Sequence, residues 1–203
     1  MKVELEDYMP NCEEDLNTIA SQSRNEKPKN VDGLFKNTKT WGHDTIQEFA
    51  VYTFHVEGVS LNLLKQLTRH RIATYNVMSH RHVEPSKVVM PKGIKGMSGV
   101  IELEDGSEVK WDTYYKTGKF YANWVDKDGI TWDLEECPIP LEDIRYGFPC
   151  GVTTNLYMKF DGRSLRNFLR LRMDKHAQWE IRELANAVKG LVENVHPFMV
   201  NDL

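Results

Sequence analysis

VTTNLYMKFDGRSLRNFLRLRMDKHAQWEIR, residues 152–182, changes its period partway along. Val152, Thr154, Leu156, Met158 and Phe160 fall on one face and Asn155, Tyr157 and Lys159 on the other, the period of two expected of a strand with one buried side. From Gly162 and Ser164 to about Val195 good helix formers follow without interruption, and the reading is one long helical stretch. At about 100° per residue, Arg163, Asn167, Arg170, Asp174 and Gln178 share one face of it, and Leu165, Phe168, Leu169 and Trp179 the opposite one. Arg172 and His176 fall on that apolar face. A guanidinium there loses hydration unless it finds an anionic or hydrogen-bonding partner, and the ordinary explanation is an arginine that snorkels to a nearby acid.

Outward from this stretch, EFAVYTFHVE (48–57) is rich in β-branched and aromatic residues and reads as a strand. SLNLLKQLTRH (60–70) reads as a helix capped by Ser60 that delivers Gln66, Arg69 and His70 near its C-terminal end. Residues 12–24 form a short helix, and Asn25 to Asn37, rich in Lys, Asn, Pro and Gly, a loop. Between Gly93 and Pro140 the chemistry is that of hairpins, with Asp105-Gly106 and Asp128-Gly129 at turn positions. The expectation is a single domain over 1–203 of the α+β class, an antiparallel sheet flanked by helices, with a divergent β-rich insertion over 93–140.

The chain's 203 residues, 40% of them hydrophobic, suit one ordinary core. No run reaches the roughly 18 apolar residues of a membrane span, and the acidic start MKVELEDYMPNCEED is unlike a secretory signal, so a cytoplasmic protein without a membrane partner is expected. Cys12, Cys137 and Cys150 are too few and too scattered for a disulfide framework or a CxxC pair, and no metal site is read. The net charge of −4 gives no global reason to expect nucleic acid. Within this acidic chain, basic residues concentrate in two islands, Arg69 to His82 and Arg163 to Arg182, which suggests a small anionic ligand.

The first island, RHRIATYNVMSHR (69–81), is dense in hydrogen-bond donors where a helix ends. Guanidinium groups grip phosphate oxygens in a fork and Ser79 adds a neutral hydrogen bond, although a solvated basic loop compensating the helix dipole has the same composition. Arg-His-Arg, seven residues, then Ser resembles the signature of the flavin-dependent thymidylate synthases. The resemblance implies that Arg69, His70 and Arg71 contact the flavin, and that Gln66, Arg69, Ser79, His80 and Arg81 lie against the nucleotide substrate.

The second island, NFLRLRMDKHAQWEIR, resembles that family's other hallmark, an Asn-Phe-Leu segment leading to Arg and then His-Ala-Gln-Trp-Glu. By that match Arg172 is the catalytic arginine, which binds the pyrimidine and favours ionisation at its N3. Asp161, Arg163, Asn167 and His176 fall on cofactor positions. Trp41-Gly42-His43-Asp44-Thr45 is similar to the family's Gly-His-acid-Thr segment, in which His43 and Thr45 would approach the flavin from a neighbouring subunit; a capped turn would look the same. Arg145 occupies a substrate-contacting position, beside Glu142 and Asp143, with either of which it could form a surface ion pair.

The resemblance covers Gly42 to Pro91 and Ile144 to Val188. The chain departs from it over Gly93 to Pro140, where the family shows helices, and at Phe49, Thr74, Val77 and His80. What it implies is reductive methylation of dUMP at C5 with FAD as cofactor and NADPH and methylenetetrahydrofolate as co-substrates, in a homotetramer whose sites are shared between subunits. Neither Cys137 nor Cys150 has the surroundings of the thiolate that the flavin-free synthases use. Two rival readings stay open: the same chemistry on UMP or another pyrimidine nucleotide, and a nucleic-acid-binding module built on the two basic islands, against which the pI near 6.0 counts.

Overall fold

A computed structural model of the chain describes residues 1–22, 44–85, 87–91, 96–102, 108–116, 119–125, 131–133 and 140–203. The loop expected at 25–37, His43, Cys137 and the turns at 105–106 and 128–129 lie outside the described residues. The chain divides into two compact units, one of Met1–Glu57, Lys65–Asn76 and Leu156–Leu203, the other of Gly58–Leu64 and Val77–Asn155.

The fold is α+β. Strand β1 (Lys2–Tyr8) leads to helix α1 (Cys12–Gln22), then a 3₁₀ turn (Asp44–Phe49), β2 (Val51–Ser60), α2 (Leu61–Leu67) and β3 (Ala73–Val77). Strands β4 (Gly96–Glu102), β5 (Glu108–Lys116), β6 (Lys119–Val125) and β7 (Thr131–Asp133) precede a short helix α3 (Leu141–Ile144). Then come β8 (Thr153–Asp161), α4 (Gly162–Arg172), α5 (Trp179–Val195) and α6 (Pro197–Val200). One antiparallel four-stranded sheet has the order β1-β2-β8-β3. The strands expected between Gly93 and Pro140 form a second, β4-β5-β6-β7, a meander of antiparallel neighbours.

The alternation read at 152–160 becomes β8: Thr154, Leu156, Met158 and Phe160 are buried, while Tyr157 and Lys159 are exposed. In the first unit, the inward residues of β2 and β8 (Tyr52, Phe54, Val56, Leu156, Met158, Phe160) share a core with Leu165, Phe168 and Leu169 of α4 and Ile181, Leu184 and Val188 of α5. Phe160 stacks on Phe168 with centroids 5.3 Å apart. In the second unit, Ser60 caps α2 as expected, its Oγ accepting from the Leu63 N–H at 3.0 Å. Gly58 has φ +71°, a left-handed conformation, and its N–H is held by the Asn155 side-chain oxygen at 2.9 Å.

Three boundaries differ from the sequence reading. The helix read over 60–70 ends at Leu67, so Arg69 and His70 follow it rather than lie on it. The strand read from Glu48 begins only at Val51, because Asp44–Phe49 closes into a 3₁₀ turn: the Gln47 amide donates to Asp44 at 2.7 Å and the Ala50 N–H to the Gln47 carbonyl at 3.2 Å. The long helical stretch is two helices, α4 and α5, interrupted at residues 173–178. Asp174 accepts from the His176 N–H at 2.8 Å, a local bond that competes with the helix. Gln178 then caps α5, its Oε1 accepting from Glu180 and Ile181 at 3.0 and 3.2 Å. Propensity alone could not see this break, since Met, Lys, Ala and Gln all continue a helix.

Candidate active site

The first basic island begins where α2 ends. The His70 N–H closes a turn on the Leu67 carbonyl at 3.1 Å, and the Tyr75 hydroxyl donates to the same carbonyl at 2.9 Å. That fixes the Arg69-His70-Arg71 backbone. Residues of the second island are set by α4, whose N-cap is Asp161: its carboxylate accepts from the Ser164 N–H and hydroxyl, both at 2.8 Å. Gly162 is dictated by space. A Cβ there would lie 2.6 Å from the Gln47 carbonyl oxygen and 3.0 Å from the Met199 side chain, so α4 starts in direct contact with the 3₁₀ turn.

These elements of the first unit enclose a cavity of about 650 Å³ lined by Asp44, Gln47, Arg69, His70, Arg71, Ile72, Arg163, Ser164, Arg166, Asn167, Arg170, Leu171 and Arg172. Six of the thirteen are arginines and one is an acid, so the field within it is strongly positive. Three of those charges are already paired, those of Arg166, Arg163 and Arg170, the last 3.9 Å from Asp202. Arg166 is buried, forks onto both carboxylate oxygens of Asp202 at 2.7 and 2.6 Å, and donates to the Met199 carbonyl. Arg163 pairs with Glu48 at 2.6 Å, a bond that raises its already high pKa. Arg69 and Arg71 are exposed and have no hydrogen-bond or ion-pair partner among the described residues.

Arg172 is the last residue of α4 and half-buried, as the apolar-face reading required. Among the described residues no carboxylate pairs with it. Its Nε donates to Nε2 of His70 at 3.0 Å, and a terminal nitrogen reaches the Gln66 carbonyl at 3.5 Å. His70 can accept at Nε2 only as the neutral imidazole, and burial first, then the Arg172 charge, lower its pKa from the ordinary 6.5. The ring lies edge-on to Phe168, centroids 5.2 Å apart.

Of the residues singled out from the sequence, the cavity brings together Arg69, His70, Arg71, Arg163, Asn167 and Arg172, while Gln66 contributes its backbone carbonyl and Asp161 its cap. Thr45 is exposed and does not line the cavity; its neighbours Asp44 and Gln47 do. His176 is exposed outside α4 and α5, with Nδ1 2.9 Å from Asp174. Ser79, His80, Arg81 and Arg145 belong to the second unit. There Arg81 holds one oxygen of Glu142 with two nitrogens at 3.0 and 2.5 Å, and Arg145 donates to the Glu142 backbone carbonyl at 2.9 Å. Ser79 accepts from the Arg81 N–H at 3.3 Å, and His80 is buried with Nδ1 against the Val83 carbonyl and Nε2 unpaired. Gln47, Ser164 and Leu171 carried no signal as site residues, because only the packing of α4 against the 3₁₀ turn brings them to the cavity, and Ile72 lines it beside Arg71.

Residues 4–198 match the family model described as thymidylate synthase complementing protein. The flavin-dependent thymidylate synthase of Sulfolobus acidocaldarius is 32% identical over 97% of this chain and 74% of its own length. That of Clostridium tetani is 30% identical over 97% of this chain and 84% of its own length. The match to the enzyme of Saccharolobus solfataricus is 36% identical over 77% of this chain but spans only 55% of that relative. The match over nearly the whole chain, together with the arginine-lined cavity formed by its two motifs, places the chain in the flavin-dependent thymidylate synthase family of enzymes.

Proposed function

We propose that this protein methylates dUMP at C5 to give dTMP, with FAD in the cationic cavity and NADPH and methylenetetrahydrofolate as co-substrates. The observation that carries the reading is Arg172, a half-buried cation aimed by a neutral histidine rather than neutralised by a carboxylate. The cavity suits FAD: its volume is in the range of ligand pockets, about 300–1,000 Å³, Arg69 and Arg71 have free forks for a diphosphate, and Ile72 and Leu171 offer apolar surface. Arg69, His70, Arg71, Arg163 and Asn167 are the residues that would hold the cofactor, which when bound supplies the redox chemistry.

The chain's own contribution is positioning and charge. A pyrimidine against Arg172 would develop negative charge on its ring as N3 ionises, and a guanidinium held by His70 and the Gln66 carbonyl stabilises that charge without reorganising. No enzyme thiolate is required. Cys12 is buried and its thiol pushed up to about 11 by that burial, which removes it as a nucleophile. Ser79, Arg81 and Arg145 are assigned to ribose and phosphate by the family resemblance. We further propose a cytoplasmic homotetramer with shared sites, which would cover Ile72 and Leu171, 73% and 53% exposed in the single chain.

His80 favours a second reading. A buried imidazole with an unpaired nitrogen adjoins Ser79 in sequence and replaces a glycine of the family pattern, which suits the same chemistry on UMP or another pyrimidine nucleotide. Incubation with FAD, NADPH, methylenetetrahydrofolate and either dUMP or UMP tests both. Formation of dTMP supports the first reading, methylation of UMP alone the second, and no product from folded, flavin-loaded protein with either contradicts the chemistry.

A further inference from the structure

Outside the cationic cavity, on the solvent side of the β1–β2 pair, Glu4, Glu6 and His55 each place one ligand atom within 4.8 Å of the others. The backbone builds this cluster. Glu4 lies directly opposite His55 in the antiparallel register, and Glu57, paired with Lys2, lies two residues from His55 on the same face. The register shifts between Leu5 and Asp7, so Glu6 is an extra residue with no partner opposite, and its carboxylate joins those of Glu4 and Glu57 around the imidazole.

The three carboxylates stand 3.9, 4.0 and 3.8 Å from His55 Nδ1. These separations are too long for hydrogen bonds, yet close to those of atoms that share one ion. With metal–ligand distances of about 2.0–2.2 Å, two ligands of a tetrahedral site lie roughly 3.3–3.6 Å apart. Closing the difference takes a small rotation of glutamates that are 45% and 42% exposed. The histidine is already oriented: its ring stacks on Tyr157 of β8, centroids 4.5 Å apart and planes at 16°. Among the described residues one Lys or Arg, Lys2, pairs with these three carboxylates, bonded to Glu4 at 2.8 Å, which leaves the cluster short of cation.

We propose that His55, Glu4 and Glu6, with solvent completing the coordination, form a binding site for one divalent transition-metal ion of the Zn(II) class, separate from the cavity. One imidazole nitrogen and two carboxylate oxygens suit such an ion, and binding would staple the edge strand β1 to β2.

Metal-stripped full-length protein is titrated with Zn(II) by calorimetry and with Co(II) by visible absorption, beside His55→Ala and Glu6→Gln. The wild type takes up one ion per chain, with the Co(II) band of a low-coordinate site, and its thermal midpoint rises with Zn(II). His55→Ala weakens binding by about tenfold or more and abolishes the thermal shift, and Glu6→Gln weakens it less. The flavin affinity of both variants stays at the wild-type value. Absence of saturable uptake by the wild type overturns the site, as does uptake that is unchanged in His55→Ala or is lost instead in Cys150→Ser.

Discussion

Nε of Arg172 donates to Nε2 of His70 at 3.0 Å, so the two hallmark motifs, 102 residues apart, meet in one hydrogen bond. The bond makes the protonation state of His70 part of the site, since an imidazolium has no lone pair at Nε2 and would repel the guanidinium. Each motif thereby fixes the other's geometry.

Acid should undo this. The pKa of His70 is lowered in the fold, so between that depressed value and the ordinary 6.5 the unfolded chain binds more protons than the folded one. Stability rises with pH through that window and falls as the solution is acidified through it. His196, also lowered by burial, acts in the same direction. Denaturant unfolding of wild type and His70→Gln across this range separates the two: the slope decreases in the variant and does not vanish.

Arg172→Lys keeps the charge but loses the planar fork that contacts His70 and Gln66 together. Turnover is expected to fall about 10²- to 10³-fold, as when one preorganised donor is removed, with the fold intact by circular dichroism. A variant that turns over at the wild-type rate would remove Arg172 from the chemistry.

Asp202 compensates the buried Arg166 near the end of the chain. Asp202→Ala leaves a guanidinium that is 4% exposed without its carboxylate. The expected loss is roughly 3 kcal/mol, at the low end for a broken buried pair because Asp202 itself is half-exposed. Arg166→Met removes the charge as well and costs less, a ranking that denaturant unfolding reads directly.

Gly162→Ala drives a methyl group against the Gln47 carbonyl, a backbone atom that cannot swing aside. A stability loss of about 1–3 kcal/mol is expected for such overpacking. Flavin affinity falls with it, because the same contact sets the cavity wall.

Much of the fold was legible in local periodicity. The alternation at 152–160 specified β8 and its buried face, Ser60 marked the start of α2, and the Gly93 to Pro140 hairpins form a sheet as read. The break at 173–178 was not legible, because it is made by side chains, Asp174 and Gln178, capturing backbone N–H groups that a helix would otherwise use. Within the site, Arg172 was visible as a misplaced charge, but its partner was not. An acid seemed the natural neighbour on electrostatic grounds, whereas the fold supplies a histidine from the other motif. Likewise the six arginines of the cavity look equivalent in sequence, and only the carboxylates of Glu48, beside Arg163, and Asp202, beside Arg166 and Arg170, distinguish the paired ones from Arg69, Arg71 and Arg172.

The proposal that Arg69 and Arg71, exposed and without an ion-pair partner among the described residues, hold the anionic cofactor is tested most directly by titrating FAD fluorescence with the wild type and with Arg69→Ala/Arg71→Ala. The account predicts saturable quenching by the wild type, with affinity at least about tenfold weaker in the double variant, the loss of charge-assisted hydrogen bonds worth roughly 1.5–3 kcal/mol. Equal affinity of the two proteins, or no binding by the folded wild type, would contradict it.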